Sequence, residues 1–178
     1  AKNKNFRKYF KQYEVSQIKA MIRNGKKDPL ICADRFENKQ KGNVYSRFTN
    51  PTVDAFQNKL AALEGAEKCQ ATASGMSAIF ATIMTLLKPG EHMVASRCMF
   101  GTTIVLLNSI IEKFSIQITF VDLGDLDAWE KSVQKNTKLF LLETPSNPLG
   151  EVVDIEKLAA ISKKNNIVLA ISFGLPIL

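Results

Sequence analysis

Three short stretches carry residue types that can hold an anion or a small polar ligand. Ala73-Ser74-Gly75-Met76-Ser77 sets two hydroxyls and a glycine just ahead of an apolar run with helical spacing. A helix starting there leaves backbone N–H groups unpaired at its positive dipole end, which suits a phosphate at Gly75 and Met76. Ser74 or Ser77 can add a hydroxyl to such a site, or Ser74 can be a plain N-cap. Glu143-Thr-Pro-Ser-Asn-Pro148 places a carboxylate and an amide on a stretch stiffened by two prolines. It presents Glu143 and Asn147 either as part of a site or as an ordinary turn. Tyr45-Ser46-Arg47-Phe48-Thr49-Asn50-Pro51 puts an aromatic ring and a guanidinium two residues apart before a proline. Arg47 can clamp a phosphate with two parallel hydrogen bonds, or the stretch is a loop.

The elements that must position these stretches follow from the apolar pattern, which alternates between helical and strand periods from about Thr52 onward. That alternation predicts a layered α/β domain with a mainly parallel sheet and helices on both faces. Ala55-Phe56, Leu60 and Leu63 make a helical face that Gly65 stops. Lys68 to Ala73 reads as the first strand, and Met76 to Leu87 as a buried helix ended by Pro89-Gly90. Met93-Val94-Ala95 is a short buried strand, Thr103 to Phe114 a helix, and Gln117 to Val121 a strand. Leu126 to Gln134 is amphipathic, Thr137 to Glu143 is a strand, Asp154 opens a helix, and Ile167 to Ile171 begins a fifth strand. All three candidate stretches are then expected at the carboxyl ends of strands, where loops and helix starts gather and open α/β sheets hold ligands.

The chain has 178 residues, 46% hydrophobic and 23% charged, enough for one domain with a sizeable core and incompatible with disordered or collagen-like classes. No stretch approaches the roughly 18 to 20 apolar residues of a membrane span, and no apolar signal core follows Ala1-Lys2-Asn3-Lys4. A soluble, cytoplasmic protein is expected. Cys32, Cys69 and Cys98 match neither a disulfide framework nor a CxxC metal knuckle, so reduced thiols and no metal site are expected. The net charge of +7 is unevenly spread: residues 1–27 hold nine Lys or Arg against Glu14, and the other 151 sum to −1. A nearly neutral body does not bind nucleic acid electrostatically. The basic segment 1–34 stands apart. Its Phe6, Phe10 and Tyr13 stripe fits a solvated helix covering part of the body or its partner, with an RNA, DNA or anionic-membrane arm and a mitochondrial presequence as alternatives.

Read together and in order, five segments are more specific than any alone. Tyr-Ser-Arg-Phe-Thr-Asn-Pro-Thr at 45–52, Ala-Leu-Glu-Gly-Ala at 62–66, Ala-Thr-Ala-Ser-Gly-Met-Ser-Ala at 71–78, Phe-Gly-Thr-Thr at 100–103 and Glu-Thr-Pro-Ser-Asn-Pro at 143–148 carry it. This set resembles the pyridoxal-phosphate enzymes of cysteine and methionine metabolism, nearest to the O-succinylhomoserine sulfhydrylase branch. The resemblance runs from about Arg35 to about Ile171 and implies roughly the first half of such an enzyme, with 35–178 as the beginning of a fold type I large domain. It implies pyridoxal 5'-phosphate as cofactor, with Ser74, Gly75 and Met76 at its phosphate, Phe100 stacked on its ring, Asn147 facing its 3-oxygen, and Glu143 supporting the site. It implies that Tyr45 and Arg47 reach the phosphate of a neighbouring subunit, hence a homo-oligomer or pairing with a full-length relative. Phe100 stands where many relatives carry Tyr; lacking a phenol, it tilts the resemblance toward the sulfhydrylases.

The implied chemistry is trans-sulfuration in methionine biosynthesis: sulfide replaces the acyl group of an O-acylhomoserine to give homocysteine, on a small amino-acid substrate. A Schiff-base lysine and a carboxylate that keeps the pyridine nitrogen protonated are indispensable to it. Neither is expected in this chain. The text around Ile171-Ser172-Phe173-Gly174-Leu175-Pro176 has no acid where the family places Asp, and the lysine segment would lie beyond Leu178. Lys163 and Lys164 read as solvated surface lysines. The expected chain is therefore a non-catalytic fragment or remnant, or a module that binds cofactor phosphate or an intact relative. In the family's sheet later strands insert between the first and the fifth, so a sheet ending here is expected to leave a gap, turn central strands into apolar edges and aggregate.

Overall fold

A computed structural model describes residues 34–37, 39–44 and 46–173. The basic segment 1–27, Cys32, Tyr45 and residues 174–178 lie outside the described residues. The chain forms two compact units, one ending at Ala71 and one beginning at Thr72.

In the first unit, helix α1 spans Pro51–Glu64. Asn50 caps its start, its side chain accepting from the N–H groups of Thr52 (3.0 Å) and Val53 (3.3 Å), and proline at the first helical position needs no partner. Gly65 ends it with φ 62°, a left-handed conformation that glycine adopts without steric cost. Ahead of α1, Ser46 to Phe48 form a turn, closed by a bond from the Asn50 amide to Ser46 Oγ and an edge-on contact of Phe36 with Phe48.

The second unit alternates helix and strand. Helix α2 spans Gly75–Leu86, strand β1 His92–Ser96, helix α3 Gly101–Ser109, strand β2 Gln117–Val121, helix α4 Leu126–Lys131, strand β3 Thr137–Glu143, helix α5 Ile155–Lys164 and strand β4 Val168–Ser172. The four strands are parallel in the order β2-β1-β3-β4. Because both faces of such a sheet are covered, its strands read as continuous apolar runs whose alternate side chains serve different cores. Met93, Ala95, Leu139 and Leu141 pack with Ile83 and Leu87 around α2 and with Leu106 and Leu107 of α3. Val94, Phe140 and Leu142 pack on the other face with Trp129 of α4 and Leu158 of α5. Trp129 meets Phe140 edge-on at 5.1 Å and donates its indole N–H to Leu123 O, which satisfies its one polar atom in the core.

The layered parallel α/β fold agrees with the sequence reading, and most element bounds agree to within a residue or two. Two expectations fail. Lys68 to Ala73 is not a strand. Its residues are mostly exposed, and Ala71 N–H is met by the Gln57 side chain at 2.7 Å rather than by another strand. A strand exists only by pairing, and no described segment pairs with this one; the strand expected as fifth is thus the fourth of the described sheet. Thr103 to Phe114 is not one helix either. α3 ends at Ser109, and a tighter 3₁₀ turn over Ile111–Phe114 follows, burying Ile111 while Ile110 stays exposed.

Candidate cofactor site

Strand order reverses at β1: the chain passes from β1 to β2 on one side, then returns to place β3 on the other. At such a switch the connections leave in opposite directions and open a crevice beyond the carboxyl ends of the strands. Beyond Ala95 strand β1 no longer pairs with β3, and Arg97 N–H bonds to Val121 O of β2 instead. The crevice that results is a cavity of about 340 Å³, within the range of small-molecule sites. Its lining comes from the start of α2 (Ser74, Gly75, Met76 and Ile79), the start of α3 (Phe100 and Thr103), the end of β3 (Glu143 and Asn147), and the end of β4 (Ser172).

The start of α2 has the features of an anion seat. Ser74 and Ser77 cap each other: Ser74 Oγ accepts from Ser77 N–H at 3.1 Å, and Ser77 Oγ accepts from Ser74 N–H at 2.9 Å. That leaves the N–H groups of Gly75 and Met76 with no hydrogen-bond partner among the described residues. No acidic residue occupies the first turn, so the positive end of the helix dipole is not neutralised from within. A Cβ built on Gly75 would meet nothing within 4 Å. The protein's own packing therefore does not require glycine there, whereas close approach of a ligand to backbone does. The Met76 side chain is turned to Thr103, whose hydroxyl lies 3.7 Å from its sulfur.

The other side of the cavity hangs from β3. Glu143 is 2% exposed, and its Oε2 accepts from Phe100 N–H at 2.7 Å. Phe100 is 44% exposed. After Glu143 the chain is held by Thr144 N–H bonded to Ser172 O and Ser146 N–H bonded to Glu151 O, with both X-Pro bonds cis. Asn147 is half-buried, and its side-chain amide makes no hydrogen bond among the described residues.

Six of the eight candidate residues thus share one cavity: Ser74, Gly75, Met76, Phe100, Glu143 and Asn147. Arg47 lies exposed in the turn of the first unit, and Tyr45 is outside the described residues. Sequence reasoning missed Ile79, Thr103 and Ser172. The first two stand one helical turn beyond Gly75 and Phe100, so helical spacing carried the signal. Ser172 is brought in by its register opposite Glu143, which no local pattern encodes. No described lysine lines the cavity. Lys163 is exposed and Lys164 pairs with Glu130 at 2.7 Å, a contact that raises its pKa, so both are surface lysines as expected.

The sequence profile of the Cys/Met metabolism PLP-dependent enzymes matches residues 24–175. The chain belongs to this family. It is 52% identical over 140 residues to an O-succinylhomoserine sulfhydrylase of Pseudomonas aeruginosa, covering 79% of this chain and 35% of that protein. It is 41% identical over 131 residues to an L-methionine gamma-lyase of Fusobacterium nucleatum subsp. polymorphum, covering 74% and 33%. Among solved structures it is similar to one from Campylobacter jejuni described as an O-acetylhomoserine (thiol)-lyase, with a pyridoxyl-lysine monophosphate in its chain. That likeness has a TM-score of 0.74 and 36% identity, and covers 82% of this chain and 36% of the other. The chain spans about a third of the length of these relatives, less than the half expected. Pyridoxal phosphate is the cofactor of the family. The residues present fit it: two unpartnered N–H groups at a helix start, an aromatic side chain and an amide line one cavity. No described helix is long and apolar enough to cross a membrane.

Proposed function

We propose that this chain supplies the phosphate and ring seat of pyridoxal phosphate in a sulfhydrylase that makes homocysteine from an O-acylhomoserine and sulfide. The observation that carries the reading is the start of α2, where Gly75 and Met76 keep unpartnered N–H groups beside open space. When bound, the cofactor supplies an electron sink for negative charge formed next to the substrate amine. The rest is done by side chains and backbone of this chain. The N–H groups of Gly75 and Met76 hold the phosphate, helped by the Ser74 cap and the α2 dipole. Phe100 packs against one ring face and takes no part in proton transfer, having no ionisable group. Asn147 donates its amide to the ring oxygen. Tyr45 and Arg47 reach the phosphate of a second subunit, so the working form is an oligomer or a pair with a full-length relative. The sulfhydrylase branch is favoured over the lyases by Phe100 and by the higher identity to an O-succinylhomoserine sulfhydrylase.

Because no described lysine lines the cavity, the described part of the chain is a seat without the covalent anchor. Visible-absorbance titration of the purified chain with pyridoxal phosphate, followed by borohydride reduction and mapping of labelled lysines, tests this. Saturable binding without label on any single lysine is expected. Absence of saturable binding refutes the seat; one stoichiometrically labelled lysine refutes the missing anchor.

A further inference from the structure

Among the described residues Glu143 is the only carboxylate lining the cavity, and it is almost wholly buried. A buried carboxylate needs hydrogen-bond donors to offset the lost water. Its donor among the described residues is a backbone group rather than a side chain: Phe100 N–H, 2.7 Å from Oε2 and 43 residues away in sequence. Phe100 is the residue before α3 and has no side-chain cap of its own. Its ring forms no aromatic pair among the described residues. What fixes the ring's place is thus the backbone at the start of α3, and what fixes that backbone across the crevice between β1 and β3 is Glu143.

We propose that Glu143 is a positioning residue for Phe100: its carboxylate bridges the switch point, locks the start of α3 and so sets the aromatic face against which the cofactor ring packs, without binding the cofactor itself. This rests on the pyridoxal-phosphate reading of the cavity. Two features favour the role. β1 and β3 stop pairing beyond Ala95 and Leu141, so a bridge is needed where the ladder ends. Glu143 also begins the stretch that carries Asn147, so one side chain ties the ring-facing residue to the oxygen-facing one. A negative group near a helix start is favourable in its own right. The bond needs an acceptor at full glutamate reach; it does not need the charge.

That distinction makes the role testable in the full chain. Amide hydrogen exchange over 98–103 is compared for wild type, Glu143→Gln, Glu143→Asp and Glu143→Ala, with Trp129 fluorescence checking that the fold survives. Exchange at Phe100 is expected to rise about 10- to 100-fold in the Ala and Asp variants and to stay within about tenfold in Gln. Pyridoxal-phosphate affinity is then measured by absorbance in Glu143→Ala, Phe100→Ala and the double variant. Each single change is expected to weaken binding about 5- to 10-fold, and the double variant no more than about twofold beyond Phe100→Ala. Unchanged Phe100 exchange in Glu143→Ala overturns the proposal, as does full additivity in the double variant, which would put Glu143 on the cofactor. If wild type binds no cofactor while the exchange pattern holds, the cofactor reading fails and the anchoring of Phe100 stands.

Discussion

Replacing Gly75 by alanine separates what the protein needs from what a ligand needs. Inside the chain the change is favourable: Gly75 has no positive φ, and a Cβ there meets nothing within 4 Å. Glycine in a helix costs roughly 0.5–1 kcal/mol relative to alanine, so α2 gains about that much. Converted at RT, the gain slows hydrogen exchange in the first turns of α2 roughly two- to fivefold, a local readout that does not depend on a cooperative global transition. The same methyl group occupies the open space beside the unpartnered N–H groups of Gly75 and Met76. If a phosphate docks on that backbone, the methyl stands between them, and affinity for pyridoxal phosphate falls by tenfold or more, about 1.4 kcal/mol. Exchange mass spectrometry and an absorbance titration on one preparation report both effects. A variant that is more stable and binds as well as wild type refutes the argument that this glycine serves a ligand. A variant that is less stable refutes the open space described at α2.

Three more outcomes follow from other parts of the second unit. His92 is buried between Thr137 (2.7 Å) and Thr119 (2.9 Å), and burial lowers its pKa, so below about pH 6.5 the unfolded chain binds more protons. Stability is then full above that pH and falls toward pH 5 by at most about 1.4 kcal/mol per unit; urea melts followed by Trp129 fluorescence should show the slope, and His92→Gln should flatten it. The Cys98 thiol is pushed up in pKa chiefly by its hydrogen bond with Glu151, then by burial, so at pH 7.5 it alkylates slowly and Glu151→Gln speeds it; equal rates by mass spectrometry would contradict this. At the sheet edge, Val168 is 46% exposed on β4, whose outer side pairs with no described strand. Val168→Lys should lower concentration-dependent light scattering at unchanged Trp129 fluorescence, since charge on an edge strand blocks edge-to-edge pairing; unchanged scattering would locate self-association elsewhere.

Strands and helices were legible in this sequence where one residue pattern decided them. Val94 and Phe140 sit in continuous apolar runs because parallel strands are covered on both faces, and Asn50, Ser74 and Asp154 mark helix starts because their side chains cap the first N–H groups. Lys68 to Ala73 has a strand-compatible pattern too, but strandedness belongs to a pair, and its backbone meets Gln57 instead. The split after Ser109 was hidden for a different reason: Ile110 and Ile111 look alike in sequence, and only the packing of one of them tightens the turn.

The site was legible in parts and not in its joinery. Each cluster could be flagged because hydroxyls, a glycine, an amide and a carboxylate sit at element boundaries, and family resemblance gave them a common ligand. The convergence of Gly75, Phe100 and Asn147 on one cavity depends on β1 lying between β2 and β3, a property of strand order that no local spacing states. The same holds for Glu143. In the sequence its most evident partner is Asn147, four residues on; in the fold its bond is to Phe100 N–H, across the crevice that strand order opens. A ligand at a switch point meets residues from connections that diverge, so something must hold those connections at a set distance. Here a buried glutamate does so, and its length matters to the cavity as much as the residues that face into it.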